Sequence, residues 1–328
     1  MKAILKSLFQ QQILTQENAK DAIISIATEN YHPTQVSAFI TVFLLRPIST
    51  EELSGFREGL FELCQRINLS EYNPMDICGT GGDSKNTFNI STLASFVAAG
   101  AGIKIAKHGN YAVSSACGSS NILEYFGYKF SSSESLLKAD IERAGICFLH
   151  APLFHPALKK VAEIRNELGV KTFFNMLGPL IHPASPSKQL AGVYSMSLAD
   201  HYSIILKKSD TDYAIVHSLD GYDEISLTGP FRIITKESDN ILEPEKVGFK
   251  KIKPETILGG TSVKESAKVF QDILNGSGTM EQNEVVIANA AFAINCYHPV
   301  LSLPDSIETA REALLSKKAL QVFKSLMN

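Results

Sequence analysis

The sequence predicts an α/β protein whose first part, up to about residue 70, is helical. Two patterns carry this prediction. Residues 1 to about 70 repeat apolar side chains at helical spacing, and from about residue 74 short apolar runs alternate with alanine-rich stretches, as strands and helices do in α/β domains. A length of 328 residues is typical of about two domains, and 45% hydrophobic residues are enough for a substantial core.

The N-terminal segment carries its own helix start signals. Thr15 and Thr34 belong to the residue types that cap helices, and Ser49 with Glu52 has the spacing of a capping box. Apolar residues then recur at helical steps at Leu53, Phe56, Leu60 and Leu63. The segment is therefore predicted to form several helices.

A glycine-rich turn follows the first predicted strand, residues 75–78. Gly79, Gly81 and Gly82 come directly after it, and such residues can adopt positive φ angles and bring backbone N–H groups close to an anion. Asp83 could cap this turn or hold a metal or a sugar hydroxyl. A turn of this kind is most often structural when it occurs alone.

A predicted helix start lies a few residues after these glycines. Asn89, Ser91 and Thr92 are N-cap residue types, and they precede the alanine-rich run 93–101. A helix start offers unpaired N–H groups and a partial positive charge, which suit phosphate. Most such caps bind nothing, but the short distance from the glycine-rich turn favours a phosphate site.

A second loop follows the predicted strand 103–106. Lys107 supplies a point charge for phosphate, and His108 lies where α/β folds place ligands, although a single histidine is more often structural. Small and hydroxyl-bearing residues continue this surface at Ser114, Ser115, Gly118, Ser119 and Ser120. The chain has no Walker A and no G-x-G-x-x-G sequence, so neither a P-loop nor a dinucleotide site is indicated.

Charged residues also stand out further along the chain. Arg165 lies beside the apolar stripe of a predicted helix, where arginine is usually solvated or ion-paired but can also bind a carboxylate with its planar fork. Asp223 and Glu224 follow the predicted strand 213–217; adjacent acids usually form an exposed turn, yet carboxylates are also the usual ligands of Mg²⁺. The apolar stripe consists of Ala157, Val161, Ile164 and Leu168.

The other segments are predicted from polarity and helical spacing alone. Residues 209–212 and 236–244 are polar and are predicted as connectors. Residues 261–328 are predicted as helices with breaks near 276–283 and 299–304.

Five motifs, in this order, resemble the anthranilate phosphoribosyltransferase family. They are GTGGD at 79–83, NIST at 89–92, KHGN at 107–110, the block 151–184 and DGYDEISLTGP at 220–230. The resemblance is strong over about residues 75–230, and the flanks are similar in length and character. The joint occurrence of the five motifs is specific, although no single one is.

The resemblance implies a small N-terminal helical domain and a larger α/β domain with a central sheet, of the nucleoside phosphorylase and phosphoribosyltransferase class. We expect residues 1–70 to form the first and 71–328 the second, with part of 170–190 packing on the helical domain. The implied reaction is Mg²⁺-dependent transfer of phosphoribose from phosphoribosyl pyrophosphate (PRPP) to the anthranilate amine in tryptophan biosynthesis. The products are N-(5-phosphoribosyl)anthranilate and pyrophosphate, and the implied assembly is a homodimer.

The same resemblance implies roles for individual residues. The PRPP-binding positions are Gly79, Gly82, Asp83, Thr87, Asn89, Ile90, Ser91, Thr92, Lys107, His108, Gly109, Asn110 and Ser119. The anthranilate-binding positions are Gly79, Asn110, His155, Arg165 and Pro179. The Mg²⁺ positions are Ser91, Asp223 and Glu224. No general base is expected, because an aromatic amine is weakly basic and arrives neutral.

The chain departs from the family pattern near the PRPP positions. Tyr111 stands where the family usually has arginine, and Ala116 where it has lysine. The other departures are Cys117, Ser120, Asn121 and His182, where the family usually has serine, alanine, aspartate and asparagine. Charge-assisted bonds contribute about 1.5–3 kcal/mol each, so two missing charges predict weaker PRPP affinity unless N–H groups and Mg²⁺ compensate.

Two other functions fit parts of the pattern. A pyrimidine nucleoside phosphorylase shares the fold, but GTGGD, Arg165 and the adjacent acids favour the transferase. A non-catalytic relative that binds nucleic acid would carry a basic stripe and would lack the metal ligands. The net charge of −3 gives no general attraction to nucleic acid, so no nucleic-acid partner is expected.

The cysteines and the N-terminal residues indicate the cellular compartment of the protein. No C-x-x-C pair occurs, so the cysteines are predicted to be free thiols in a reducing compartment. They are Cys64, Cys78, Cys117, Cys147 and Cys296. No signal peptide or transmembrane run is apparent, so a cytoplasmic enzyme without membrane contact is expected.

Overall fold

The computed structural model describes residues 1–29, 31–112 and 116–328. The chain divides into two compact units. The helical unit consists of Met1–Ile67 and Ala151–Ser185, and the α/β unit consists of Asn68–His150 and Pro186–Asn328. The helical unit is thus discontinuous in sequence, and all of 151–185 belongs to it.

The helices alternate with strands only in the α/β unit. The helices are α1 (Lys2–Phe9), α2 (Gln16–Thr28), α3 (Pro33–Leu45), α4 (Thr50–Glu62), α5 (Ile90–Gly100), α6 (Ser119–Tyr125), α7 (Glu134–Ala144), α8 (Ala151–Phe154), α9 (Pro156–Leu168), α10 (Met196–Leu206), α11 (Val263–Leu274), α12 (Met280–Tyr297), α13 (Leu303–Leu315) and α14 (Lys318–Met327). The strands are β1 (Met75–Gly79), β2 (Ile105–Gly109), β3 (Ile146–His150), β4 (Lys188–Gly192), β5 (Asp212–Ser218), β6 (Phe231–Ile234) and β7 (Asp239–Leu242). Short 3₁₀ helices lie at Ser70–Tyr72, Phe173–Met176, Gly178–Ile181, Pro244–Val247 and Pro254–Ile257.

Two of the three predicted caps of the helical unit are confirmed. The Thr15 hydroxyl accepts the Asn18 N–H at 3.2 Å, and Ser49 and Glu52 form a capping box. The prediction for Thr34 was wrong, because it lies inside α3 behind Pro33. The cap is His32, whose ring nitrogen accepts the Thr34 N–H.

Aromatic rings join the two sequence segments of the helical unit. Phe39, Phe43, Phe56 and Phe173 stack edge to face or tilted, with ring centroids 4.5–6.1 Å apart. Phe173 comes from 151–185, and the other three come from the first 67 residues. The second segment therefore completes the core of this unit.

The α/β unit is built on a seven-stranded sheet in the order β3-β2-β1-β4-β5-β6-β7. Strands β1 to β5 are parallel, and β6 and β7 are antiparallel additions at one edge. The chain runs from β1 outward to β3 and then returns to place β4 on the other side of β1. Loops at such a reversal diverge, and the crevice beyond the carboxyl ends of the strands is where open α/β sheets bind ligands.

Two local predictions were wrong in this sheet. Lys107 and His108 were placed in a loop, whereas both lie within β2. Residues 236–244 were predicted as a connector, whereas they contain β7. The polar side chains of this edge strand are exposed, so hydrophobic patterning could not reveal it.

Helices α5 and α12 pack on one another and against the sheet. The buried Asn289 of α12 holds the backbone of Ile225, because its side chain accepts the Ile225 N–H at 3.0 Å and donates to the Ile225 carbonyl at 2.9 Å. This pair of bonds fixes the loop immediately after Glu224. Across the described ranges, every helix is too short or too polar to cross a membrane.

Candidate active site

The glycine-rich turn after β1 wraps around Asp223. Gly81 and Gly82 have φ angles of +65° and +77°, and the Gly81 N–H donates to the Asp223 carboxylate at 2.6 Å. A Cβ atom at Gly79 would overlap that carboxylate, and one at Gly192 would overlap the Asp223 carbonyl oxygen. The ends of β1 and β4 must therefore be glycine for Asp223 to lie between them.

Asp223 and Glu224 form an acidic pair, of which Asp223 is buried and Glu224 is partly buried. Asp223 is 7% exposed, and burial together with the charges of Asp83 and Glu224 raises the pKa of its carboxyl group well above the usual range. Burial raises the pKa of Glu224 to about 7, although Lys107 and the N–H and hydroxyl of Ser91 act in the opposite direction. Two such acids in one crevice favour a bound cation.

The residues present fit Mg²⁺. Two carboxylates and the Ser91 hydroxyl are hard oxygen ligands, which Mg²⁺ prefers. In the described part of the chain, no group of three or more His, Cys, Asp or Glu side chains could hold a metal ion. Mg²⁺ usually completes its shell with water and substrate phosphates, so two carboxylates suffice.

Lys107 lies close to Ser91 and Glu224. Its side chain is buried, and its ammonium donates to the Ile77 carbonyl at 2.6 Å and to the Ser91 hydroxyl at 3.4 Å. The buried charge of Lys107 acts on Glu224 and the start of α5.

The loop that leads into α5 is anchored on both sides. Thr87 pairs with Leu258, and the Asn89 amide donates to the Cys117 carbonyl at 3.1 Å. Asn89 is the N-cap residue of α5 through its backbone, while Ser91 and Thr92 lie in the first turn of the helix. The predicted helix start is therefore present, three residues earlier than predicted.

The loop after β2 brings Asn110 and Ser119 together. The Ser119 hydroxyl donates to the Asn110 carbonyl at 3.3 Å, and the Ser120 N–H donates to the same oxygen at 3.1 Å. A Cβ atom at Gly109 would overlap the Ser119 hydroxyl, so a glycine is required there. Ser114 and Ser115 lie outside the described residues.

Two of the departures from the family pattern stabilise this loop. The Asn121 side chain accepts the N–H groups of both Ala112 and Gly118 at 3.0 Å, which ties the two ends of the loop. The Tyr111 hydroxyl donates to Glu124 at 3.1 Å. These residues replace charge with structural contacts.

The remaining predicted residues lie in the helical unit. Arg165 donates to the Asn175 side chain at 3.5 Å and stacks over the Phe174 ring at 5.3 Å. Burial, with the nearby His182, lowers the pKa of His155 to about 4, so its ring is neutral at pH 7. The structure thus divides the predicted anthranilate positions, with Gly79 and Asn110 in the α/β unit and His155, Arg165 and Pro179 in the helical unit.

Sequence reasoning missed three buried polar residues that support these groups. Asn175 contacts Arg165, Asn289 holds Ile225, and Asp76 accepts the His108 N–H. Asp76 and Asn289 each interrupt an apolar run, which is a visible signal of a buried polar group with partners. Asn175 gave no such signal by itself.

Comparison with known proteins places the chain in a family. Residues 71–320 match the family model of the glycosyl transferase family a/b domain, and residues 2–64 match that of its helical bundle domain. An anthranilate phosphoribosyltransferase from Flavobacterium johnsoniae is 53% identical over 99% of this chain and 98% of its own length. The chain belongs to the anthranilate phosphoribosyltransferase family. Its predicted fold class and its class as a pentosyl-transferring enzyme are confirmed with it.

Solved members of the anthranilate phosphoribosyltransferase family have the same fold. The crystal structure of the enzyme from Thermus thermophilus superposes with a TM-score of 0.90 at 31% identity, covering 98% of both chains. The enzyme from Saccharomyces cerevisiae, solved in complex with PRPP and Mg, superposes with a TM-score of 0.89 at 27% identity over 98% of this chain and 95% of its own.

Proposed function

We propose that this chain transfers the phosphoribosyl group of PRPP to the amine of anthranilate and releases pyrophosphate, a step of tryptophan biosynthesis. The observation that carries the proposal is the Asp223–Glu224 pair at the carboxyl ends of β1 and β4, beside the first turn of α5 and Lys107. This arrangement combines a cation site with N–H donors for phosphate. Full-length similarity to members of the family supports the same reaction.

The donor PRPP is proposed to bind along the glycine-rich turn and the start of α5. The N–H groups of the first helical turn and of Gly82 can donate to phosphate oxygens, and the partial positive charge of the helix start favours them. Lys107 adds a full positive charge next to Ser91. The other proposed donor positions are Gly79, Asp83, Thr87, Asn89, Ile90, Ser91, Thr92, His108, Gly109, Asn110 and Ser119.

Asp223, Glu224 and Ser91 are proposed to hold Mg²⁺. Mg²⁺ bound there would offset the negative charge that develops on the departing pyrophosphate. The Gly81 N–H holds the Asp223 carboxylate, and the Asn289 side chain fixes the backbone of Ile225, the residue after Glu224, before ligands bind. Such preorganisation lowers the cost of reorganising the site during the reaction.

The acceptor anthranilate is proposed to use Arg165 for its carboxylate. The planar guanidinium can bind both carboxylate oxygens, and it is held by contacts with Asn175 and Phe174, neither of which is an acid. The neutral His155 ring and Pro179 suit an aromatic ring, and Gly79 and Asn110 are proposed to contact the same ligand. Because the amine is neutral at pH 7, the chain needs to orient it rather than deprotonate it first.

A homodimer in the cytoplasm is proposed. Large apolar side chains are exposed on the helical unit at Phe9 (64%), Ile13 (61%) and Leu45 (83%), and a second copy would cover them. The free cysteines suit a reducing compartment. Analytical ultracentrifugation at micromolar concentration is expected to give twice the chain mass, and a monomer there would reject the dimer.

The test of the reaction is the loss of anthranilate fluorescence with PRPP and Mg²⁺. Loss that depends on the protein and stops on addition of a chelator supports the proposal. No loss at high protein concentration, with phosphorolysis of a pyrimidine nucleoside instead, would replace the transferase with the phosphorylase. Retention on DNA without either reaction would favour the non-catalytic alternative.

A further inference from the structure

Strands β1 and β2 separate towards their carboxyl ends. Their pairing in the described strands is confined to Met75 opposite Ile105, whereas β1 and β4 are paired along all five of their residues. In a parallel ladder continued from this pair, the His108 N–H would donate to the Ile77 carbonyl. That bond would lie next to the glycine-rich turn.

Two side chains bond instead to the two backbone groups that this ladder bond would have joined. The His108 N–H donates to the Asp76 carboxylate at 3.1 Å, and the Lys107 ammonium donates to the Ile77 carbonyl at 2.6 Å. Asp76 and Lys107 point to opposite faces of the sheet, because they lie at alternate positions in the register of β1 and β2. One side chain on each face therefore replaces the bond that would bring the strands together.

The Asp76 carboxylate accepts hydrogen bonds from residues of three strands. Its side chain is fully buried, and its second oxygen accepts the Gln189 amide of β4 at 3.2 Å and the Cys78 thiol of β1 at 2.9 Å. A buried carboxylate is costly unless its oxygens are well bonded. Such a group is retained at a cost to stability, which points to a role beyond packing.

The separation determines where the Lys107 ammonium lies. Held at the Ile77 carbonyl, it is 3.4 Å from the Ser91 hydroxyl and acts electrostatically on Glu224. If the His108 N–H bonded directly to Ile77, Lys107 would lose its principal acceptor. The ammonium would then leave the acidic pair and the start of α5.

We propose that Asp76 is a positioning residue, which holds β1 and β2 apart and thereby seats Lys107 beside Ser91 and Glu224. What Lys107 does at that place rests on the proposed function, namely the binding of PRPP with Mg²⁺. Asp76 does not touch the substrates in this scheme and acts through the backbone of His108.

The first test compares Asp76→Ala with Gln189→Met. The Gln189→Met variant removes a donor to the Asp76 carboxylate but leaves the bond from the His108 N–H to that carboxylate. Asp76→Ala is expected to raise KM for PRPP about tenfold, as loss of one charge-assisted interaction does. KM for anthranilate and kcat are expected to stay within about twofold, because Lys107 binds the donor alike before and during the reaction. Gln189→Met is expected to change KM for PRPP less than about twofold.

The second test is the crystal structure of Asp76→Ala, with that of Gln189→Met as the reference. A His108 N–H that donates to the Ile77 carbonyl in Asp76→Ala, with the Lys107 ammonium displaced from it, and an unchanged arrangement in Gln189→Met support the proposal together with the selective rise in KM. Equal losses in kcat and in both KM values, or an unchanged KM for PRPP in a folded variant, overturn it. If Asp76→Ala does not fold, Asp76→Leu decides by the same criteria, because leucine fills the space of the carboxylate but cannot accept the His108 N–H.

The two proposals can fail separately. If the wild-type chain has no transferase activity but the His108 N–H moves to the Ile77 carbonyl in Asp76→Ala, the proposed reaction is rejected and the strand separation by Asp76 stands. If wild type is active and neither the His108 bond nor KM for PRPP responds, the role of Asp76 is rejected alone.

Discussion

The proposed PRPP residues and the proposed anthranilate residues of the helical unit are held in different ways. In the α/β unit, backbone groups and glycines hold the acidic pair, with the Gly81 N–H at 2.6 Å from Asp223 and no room for a Cβ atom at Gly79. In the helical unit, Arg165 is held by a 3.5 Å bond to Asn175 and an aromatic ring. The first region is built for fixed geometry, and the second leaves a side chain ready to exchange partners.

The largest expected effect comes from the acidic pair. Glu224→Gln removes a charge from the proposed Mg²⁺ position and is expected to lower kcat/KM about 10²–10³-fold, as loss of one preorganised electrostatic group does. Steady-state rates at saturating Mg²⁺ measure it. The exposed Glu255→Gln in the same unit is the control, and equal activity of both variants would remove Glu224 from the site.

The next largest effect is expected at the end of β4, where a substitution would displace Asp223 without removing a charge. Gly192→Ala places a Cβ atom on the Asp223 carbonyl oxygen and is expected to reduce the free energy of unfolding by about 3 kcal/mol. Gly229→Ala, where the new atom meets nothing nearer than 3.9 Å, is the matched control. Urea unfolding measures both, and similar stabilities would show that the strand ends yield easily.

A smaller and more selective effect is expected from the helical unit. Arg165→Ala is expected to raise KM for anthranilate about 10- to 100-fold with little change in KM for PRPP, since it removes one charge-assisted contact. Arg165→Lys is expected to retain only part of the affinity for anthranilate, because an ammonium lacks the planar fork of the guanidinium. Lys160→Ala, an exposed residue of the same helix, should leave both KM values unchanged, and a rise in KM for PRPP with Arg165→Ala would argue against the assignment.

The smallest expected effect is a change of stability with pH, which has opposite signs in the two units. The raised pKa of Glu224, about 7 against 4.5, means that the folded chain keeps this proton longer than the unfolded chain, so its contribution to stability is lost as pH rises from about 4.5 to 7. His155 acts in the opposite sense, because its pKa of about 4 against 6.5 makes its contribution disappear as pH falls through that window.

Urea unfolding of wild type and Glu224→Gln in the presence of a chelator measures the first contribution. The variant is expected to gain stability relative to wild type between about pH 5 and pH 8, while Glu255→Gln follows wild type. Parallel pH profiles for all three proteins would show that Glu224 titrates normally in the folded chain.

Much of the α/β unit was predictable because its signals are local. Glycines directly after an apolar run indicated the turn at Gly79, and the alanine-rich run indicated α5. Lys107 was predicted in a loop because a charged residue inside a buried strand violates the hydrophobic pattern, and its bonds to Ile77 and Ser91 in the folded chain explain how the strand accommodates it. The discontinuous helical unit could not be derived from pattern, since the contact of Phe173 with Phe56 joins distant parts of the chain.

That aromatic contact has a consequence for synthesis on the ribosome. Phe56 emerges roughly 120 residues before Phe173, which at about 5–20 residues per second is a delay on the order of ten seconds. During this interval the core of the first four helices lacks the side chains of residues 151–185. Strands β1 to β3 are synthesised before those residues. The nascent chain therefore presents unfinished aromatic surface to its surroundings until residue 173 has left the ribosome.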